Sequence, residues 1–350
     1  VEEVPRLKVI YLYITGLCNM RCKHCWVGAP QMYSEVPYEI LKKALIDASE
    51  LGCKYIKITG GEPFLRKRIL HKLIELSYSL DMKLSIETNA TLIEENDINI
   101  LKRYGNVTDL GISLHFYDSK KFDSFVGLNG AFEKVVESMR RLDRNDIPFM
   151  CLTTVVKSNL HELSELTELV FENGADAVKF NPCLPLGKAR EEIGEDFLSI
   201  GDYLALVKTA VRLDDIHPSK IFLAVPMALI APYGSNKLQI TRGTCNYKNL
   251  LSILPDGGVS LCGIGITHKE TVIGNIKSES IKDMWMSGKG ILSYLREQRP
   301  KGICNKCIFK SYCANQCPAY AYEAYKDFMG PNPICQEFYE RGLFPEKYLE

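Results

Sequence analysis

At 350 residues, 46% of them hydrophobic, the chain can bury one large core and a smaller second unit, because single cores stop growing near ~250–300 residues. Forty-three basic side chains balance 43 acidic ones, which excludes a global field drawing in nucleic acid or an anionic membrane. The longest apolar run, "IFLAVPMALIAPY" from Ile221, is too short to span a bilayer and holds two prolines, and "VEEVPRLKV" has no basic n-region before an apolar core, so the expected location is cytoplasmic.

From Lys8 to Ala189, short β-branched runs alternate with amphipathic helices. The predicted strands are Val9–Thr15, Tyr55–Thr59, Lys83–Thr88, Val107–Leu114, Phe149–Val156 and Asp176–Phe180. Helical spacing is clear in "YEILKKALIDASEL" and in "NLHELSELTELVFENG", which closes on a glycine suited to a C-cap. Such alternation argues for parallel βα units, and six of them are too few for the eight of a closed TIM barrel, so an open partial barrel is expected. Residues 191–243 read as a helical connection; from 244 to 350 the alternation stops and cysteine density rises. The expected organisation is therefore a barrel over 1–190, the connection, and a cysteine-rich unit over 244–350.

A reducing cytosol keeps thiols free, so thirteen regularly spaced cysteines read as metal ligands sooner than as disulfides. Cys18, Cys22 and Cys25 follow the first strand, at the end of the sheet where βα barrels keep their chemistry. Three thiolates on one loop suit a [4Fe-4S] cluster with one iron left open. Zinc would need a fourth ligand, and His24 lies between two of the three, where the loop can hardly turn it inward as well. "TGGEP" after strand two, "TNAT" after strand three, "SLH" at the end of strand four and "NPC" after strand six would ring the same cavity. Paired glycines permit close backbone approach, and Glu62 can accept from an ammonium or hydroxyl.

C-x3-C-x2-C after strand one with GGEP after strand two resembles the radical SAM superfamily, over about Lys8–Ala189. That resemblance implies reductive cleavage of S-adenosylmethionine (SAM) to a 5'-deoxyadenosyl radical that abstracts hydrogen from substrate, the protein supplying orientation and shielding. It implies that Gly60, Gly61 and Glu62 meet the methionine amino group, Ser113 its carboxylate, and Thr88 with Asn89 the ribose. His24 takes the position whose backbone contacts adenine. An electron donor such as a flavodoxin or ferredoxin is implied as a partner. Two positions depart from the pattern: Val126 stands where an arginine often grips the carboxylate, and His115 where an aspartate often follows the strand-four Ser-Leu.

Further on, Cys245 is followed by Cys262, then Cys304-x2-Cys307-x5-Cys313-x3-Cys317, and Cys335. Taken alone, Cys304, Cys307, Cys313 and Cys317 could make a zinc ribbon. With "ILPDGGVSLC" and "IGNI...SIKDMWMSG", the whole array resembles the SPASM extension of radical SAM enzymes. The resemblance implies two auxiliary [4Fe-4S] clusters, one held by Cys304, Cys307, Cys313 and Cys335, the other by Cys245, Cys262 and Cys317 with its fourth ligand unassigned. Sulfatase-maturing members follow the second hairpin cysteine with an aspartate, and here Gly263 stands there. Cys53 and Cys151 read as packing residues; Cys183, after strand six, is a candidate hydrogen donor or extra ligand.

The expected protein is thus an α/β radical SAM enzyme, a partial (β/α)6 TIM-like barrel with a SPASM domain, SAM and three iron-sulfur clusters. The subgroup implies a ribosomal peptide or protein as substrate. The barrel's start within ten residues leaves no recognition domain ahead of it, and small-molecule cofactor synthesis, for example of a tetrapyrrole, is the alternative. An iron-sulfur electron carrier without SAM chemistry is a second alternative, against which GGEP argues.

Overall fold

A computed structural model describes residues 6–27, 35–234, 236–237, 245, 247–288, 290–313 and 315–350. Its frame is a parallel sheet of β1 (Val9–Tyr13), β2 (Tyr55–Thr59), β3 (Lys83–Thr88), β4 (Val107–Ser113), β5 (Met150–Val155), β6 (Ala177–Pro182) and β7 (Ile221–Leu223). Beyond β1 the sheet continues through β8 (Leu250–Ile253), parallel to β1, and then β9 (Gly258–Ser260) and β10 (Gly274–Asn275), each antiparallel to its neighbour. The order is β10-β9-β8-β1-β2-β3-β4-β5-β6-β7, an open barrel wall.

Alternation decides which side chains go where. Leu12, Ile56, Ile58, Leu84, Ile86, Leu110 and Ile112 are at most 1% exposed on the face covered by helices. Helix Tyr38–Glu50 buries Leu41, Ala44, Leu45 and Ala48, an i, i+3, i+4, i+7 stripe. Helix Leu163–Glu172 ends as its sequence suggests: Gly174 takes φ +90°, and its N–H reaches Phe171 O at 3.0 Å. A Cβ on Gly174 would lie 2.4 Å from Asp143 Cβ, so a side chain is excluded by contact as well as by conformation.

Two features depart from the expected organisation. The stretch 191–243 is not solely a helical connection, since helix Ile200–Ile216 leads into β7, which extends the barrel by one strand beside β6. Its "IFL" is only three residues inside a longer apolar run, too short to show a period of two. The cysteine-rich unit, for its part, is joined to the barrel through its sheet, because Val9–Leu12 pairs in register with Leu250–Ile253. The expected boundary between residues 243 and 244 lies outside the described residues, as does the start of the first unit at residues 1–5.

Further ties reinforce that join. Glu323, nearly buried, accepts from His268 Nε2 at 2.8 Å and is ion-paired with Arg190 from the barrel side. Ile334, Cys335 and Phe338 pack into the same core as Leu7 and Ile10. Among the described residues no helix is long and apolar enough to cross a membrane.

Leu12 touches both halves of this arrangement, paired with Ile58 on one side and Ile253 on the other. Leu12→Ala is expected to cost about 2–5 kcal/mol, read from the denaturant midpoint of the purified protein, whereas Lys134→Ala at an exposed helical position should stay within about 0.5 kcal/mol.

Candidate functional site

The chain segments that follow β1 to β6 converge on one cavity of ≈ 320 Å³. Its wall contains Cys18, Cys22 and Cys25, the Gly60–Glu62 turn, Thr88 with Asn89, and Ser113. His24, His115, Val126 and Asn181 line it as well.

What holds the cysteine loop is backbone contact with the glycine turn. Gly61 N–H donates to Thr15 O and Glu62 N–H to Leu17 O, each at 2.8 Å. A Cβ on Gly61 would sit 1.8 Å from Leu17 O, and one on Gly60 2.5 Å from Thr15 O, with Gly60 already at φ +141°. The close approach expected of these glycines is thus made, in part, to the chain itself. From the other side, Arg21 N–H donates to Val126 O at 2.8 Å and Lys23 N–H to Phe125 O at 3.0 Å, docking the loop on the end of helix Ser119–Val126.

Glu62 is 1% exposed, and its carboxylate knits three segments. Oε1 accepts from Phe64 N–H at 3.0 Å and the Thr88 hydroxyl at 2.7 Å, while Oε2 accepts from Asn89 N–H at 2.8 Å. Burial pushes its pKa up, and these three donors pull against that rise. Asn89 Nδ2 then donates to Asn19 Oδ1 at 2.9 Å and lies 3.8 Å from Cys18 Sγ, and Asn19 Nδ2 donates to Thr91 Oγ1 at 2.8 Å. Asn19 had no sequence signal of its own; its role follows only from the folded loop.

Opposite this network lies an aromatic wall. The His24 ring stacks on Phe125 at 4.9 Å between centroids and meets His115 edge-on at 4.5 Å. Burial lowers His24 to about 4, so the imidazole is neutral at pH 7, and its Nδ1 is buried with no protein partner. His115 Nδ1 accepts from Thr154 N–H at 3.1 Å, which puts its proton on Nε2.

The ten candidate ligand cysteines fall into three neighbourhoods. Burial raises Cys18 to about 11, Cys25 and Glu62 adding to the rise, and raises Cys22 further, with Cys25 and Cys18 adding. A second set joins Cys245, Cys262 and Cys317: burial and then Cys317 and Cys262 raise Cys245, and burial takes Cys262 to about 12. The third is Cys304, Cys307, Cys313 and Cys335, around a small cavity otherwise walled by apolar side chains such as Ile303, Phe309 and Phe344. There, burial raises Cys335 well above the usual thiol range, with Cys304, Cys313 and Cys307 adding. Asn332 N–H points at Cys304 Sγ, 3.2 Å away.

Thiols this reluctant to ionise give up protons when a metal takes their place, and since Lys188 at Cys22, Lys57 at Cys245 and Lys310 at Cys307 offset burial only in part, the sets suit a ligand that brings its own positive charge. Among the described residues no three His, Cys, Asp or Glu side chains converge tightly enough for a single metal ion. A shared zinc would draw sulfurs to about 3.8 Å of one another, whereas the separate irons of a cluster hold them farther apart. Sets of three and four thiols fit the ligand needs of iron-sulfur clusters, and the glycine-lipped cavity beside the first set fits a small polar cofactor.

Cys183 does not share the cavity. Its N–H continues the ladder to Val155 O at 2.8 Å, and its thiol is 5% exposed in the core, raised by burial to about 12. Cys53 and Cys151 are wholly buried, as expected of packing residues. Sequence reasoning missed the charged side chains of the lumen, Lys57, Glu87 and Lys179. Their signal was present: each interrupts a strand whose alternate residues are apolar, in a sheet type that is usually apolar on both faces.

Comparison with known proteins fits this geometry. Residues 12–170 match the family model described as the Radical SAM superfamily, and residues 245–308 match SPASM, an iron-sulfur cluster-binding domain. The AdoMet-dependent heme synthase of Methanosarcina barkeri is 26% identical, over 95% of this chain and 97% of that protein. The antilisterial bacteriocin subtilosin biosynthesis protein AlbA of Bacillus subtilis is also 26% identical, over 86% of this chain but 65% of AlbA. In fold, Streptococcus suis SuiB bound to precursor peptide SuiA superposes with a TM-score of 0.78 at 18% identity, covering 95% of this chain and 77% of SuiB.

The clash distance at Gly61 makes a sharp test. Gly61→Ala is expected to displace Leu17 and the adjoining Cys18, so that iron content of the anaerobically reconstituted protein falls by one cluster and SAM affinity by calorimetry falls more than about tenfold. Gly201→Ala, at a helical position where the nearest atom to an added Cβ is Ser199 Oγ at 3.8 Å, should change neither.

Proposed function

We propose that this radical SAM enzyme, with its SPASM iron-sulfur domain, acts on a carboxylate-bearing tetrapyrrole. The observation that carries the reading is the end-to-end match to a heme synthase, over 95% of this chain and 97% of that enzyme, across barrel and cysteine-rich unit alike. Arg21 and Lys188 in the cavity wall add cationic donors suited to an acidic substrate.

When bound, the first cluster and SAM supply a 5'-deoxyadenosyl radical for hydrogen abstraction, fed by one electron from a carrier such as a flavodoxin or ferredoxin. Cys18, Cys22 and Cys25 would ligate three irons of that cluster. Glu62, held rigid by three donors, keeps one lone pair, on Oε2, that would meet the methionine ammonium beside the Gly60–Gly61 backbone, and Ser113 would offer its hydroxyl to the carboxylate. Thr88 and Asn89 would border the ribose and the His24 backbone would face adenine, while the His24 ring, stacked on Phe125, stiffens that wall. Cys304, Cys307, Cys313 and Cys335 would hold one auxiliary cluster completely; Cys245, Cys262 and Cys317 would hold another. Buried, neutral side chains around the cavity exclude water and so protect a reactive species from quenching.

A ribosomal peptide substrate is the second reading. It is favoured by the likeness to AlbA, although the chain spans only 65% of that protein.

The test is 5'-deoxyadenosine release by reconstituted, dithionite-reduced enzyme. Wild type is expected to release it and Cys22→Ala to release none; iron coproporphyrin III, a tetrapropionate porphyrin, should accelerate release about tenfold or more by completing the site. No acceleration by the porphyrin, with acceleration by a ribosomal precursor peptide, would replace the first reading by the second.

A further inference from the structure

The lumen of the barrel carries charge that the cysteine and SAM chemistry does not use. Tyr11, Lys57, Ser85 and Asp109 stand in register across β1 to β4, on the face turned away from the helices. Across β5 to β7 the row Leu152, Lys179 and Phe222 stands on the same face, in register with Ser113 of β4.

These groups are unevenly partnered. Lys57 is ion-paired with Glu87, and its Nζ lies 5.0 Å from the centroid of the Tyr11 ring. Asp109, at the exposed rim, accepts from the Ser85 hydroxyl at 3.3 Å. Lys179 is half-buried and, among the described residues, has no hydrogen-bond or ion-pair partner. Burial and then the charge of Lys57 hold its ammonium below the ordinary lysine value, against the opposing pull of Glu87 and Asp109. A cation kept from water beside a like charge is a standing vacancy for an anion.

Its place in the fold says which anion. Asn181, two residues along β6 on the same face, and Leu152, its register partner on β5, both line the cavity, as does Glu87. Lys179 therefore stands at the cavity's edge, level with Leu152 and one same-face step before Asn181. Lys57, whose charge reaches Lys179, stands on β2 two residues before Thr59, which lines the same cavity. A substrate reached from the cavity must lie against this edge.

We propose that Lys179, backed by Lys57, receives one carboxylate of the substrate in the barrel lumen. The inference rests on the tetrapyrrole reading and deepens it, assigning the contact that selects a free propionate and fixes its methylenes at the cavity's edge. Glu87 is ion-paired with Lys57 and Asp109 is bonded by Ser85 at the rim, so Lys179 is the lumen cation left without a direct partner among the described residues, and the site accommodates one carboxylate. Lys179 is a binding residue; it takes no part in the hydrogen transfer.

The test compares binding of coproporphyrin III and its tetramethyl ester to the reconstituted holoenzyme by fluorescence titration. Wild type is expected to bind the acid about 10- to 100-fold more tightly than the ester, Lys179→Met to lose that preference, and Lys179→Arg to keep it. Equal binding of acid and ester by wild type, or a preference retained in Lys179→Met, overturns the carboxylate site while leaving the tetrapyrrole reading in place. Binding of neither by wild type overturns that reading and this inference with it. The acid-to-ester ratio in wild type and in Lys179→Arg reads the site even where Lys179→Met loses its fold.

Discussion

Two backbone hydrogen bonds, from Gly61 N–H to Thr15 O and from Glu62 N–H to Leu17 O, set the geometry on which the site depends. They press the turn after β2 against the strand exit that leads into Cys18, at a separation no side chain could share. From that contact the order spreads outward by short steps. Glu62 is fixed by its own backbone and in turn orients Thr88, Asn89 and Phe64; Asn89 reaches back to Asn19 inside the cysteine loop. The thiols of Cys18 and Cys22, costly to ionise where they stand, are thus presented by a loop that cannot relax away from them, and preorganisation of this kind is what a metal cluster and a small cofactor need.

The cysteine-rich unit is positioned by the same economy of connection. Instead of abutting the barrel as a separate body, it lends β8 to the free edge of β1, and the sheet that shapes the SAM cavity continues into the hairpin that carries Cys262. Parallel pairing at that edge removes an unpaired strand and fixes the distance between two candidate cluster sites with backbone rigidity. At Gly263 a Cβ would fall 2.4 Å from the Tyr13 hydroxyl. A side chain at that position is therefore excluded by the phenol of β1.

Between the two sites the lumen is polar, and this is where substrate character resides. Neutral imidazoles and phenylalanines wall one side of the cavity, Glu87 lines it as well, and Lys57 and Lys179 stand at its edge in the lumen. Apolar closure and buried charge serve different ends: the first keeps water from a reactive centre, the second selects a ligand by leaving a cation unmatched.

By itself the sequence determined the six leading βα units, the three-cysteine loop with GGEP one unit later, and the separation of packing cysteines from candidate ligands. These follow from periodicity and spacing, which are local and survive without coordinates. Only the tertiary structure decided what depended on contacts between distant segments. It added β7, whose three residues carry no period, and β8, whose parallel partner lies some 240 residues away in sequence. It removed Cys183 from the cavity, turned the glycine pair toward the neighbouring chain, and revealed Asn19, Lys57 and Lys179. The reason is the same in each case: a pattern along the chain states which face a side chain takes, but the partner across that face belongs to another element, and only folding brings the two together.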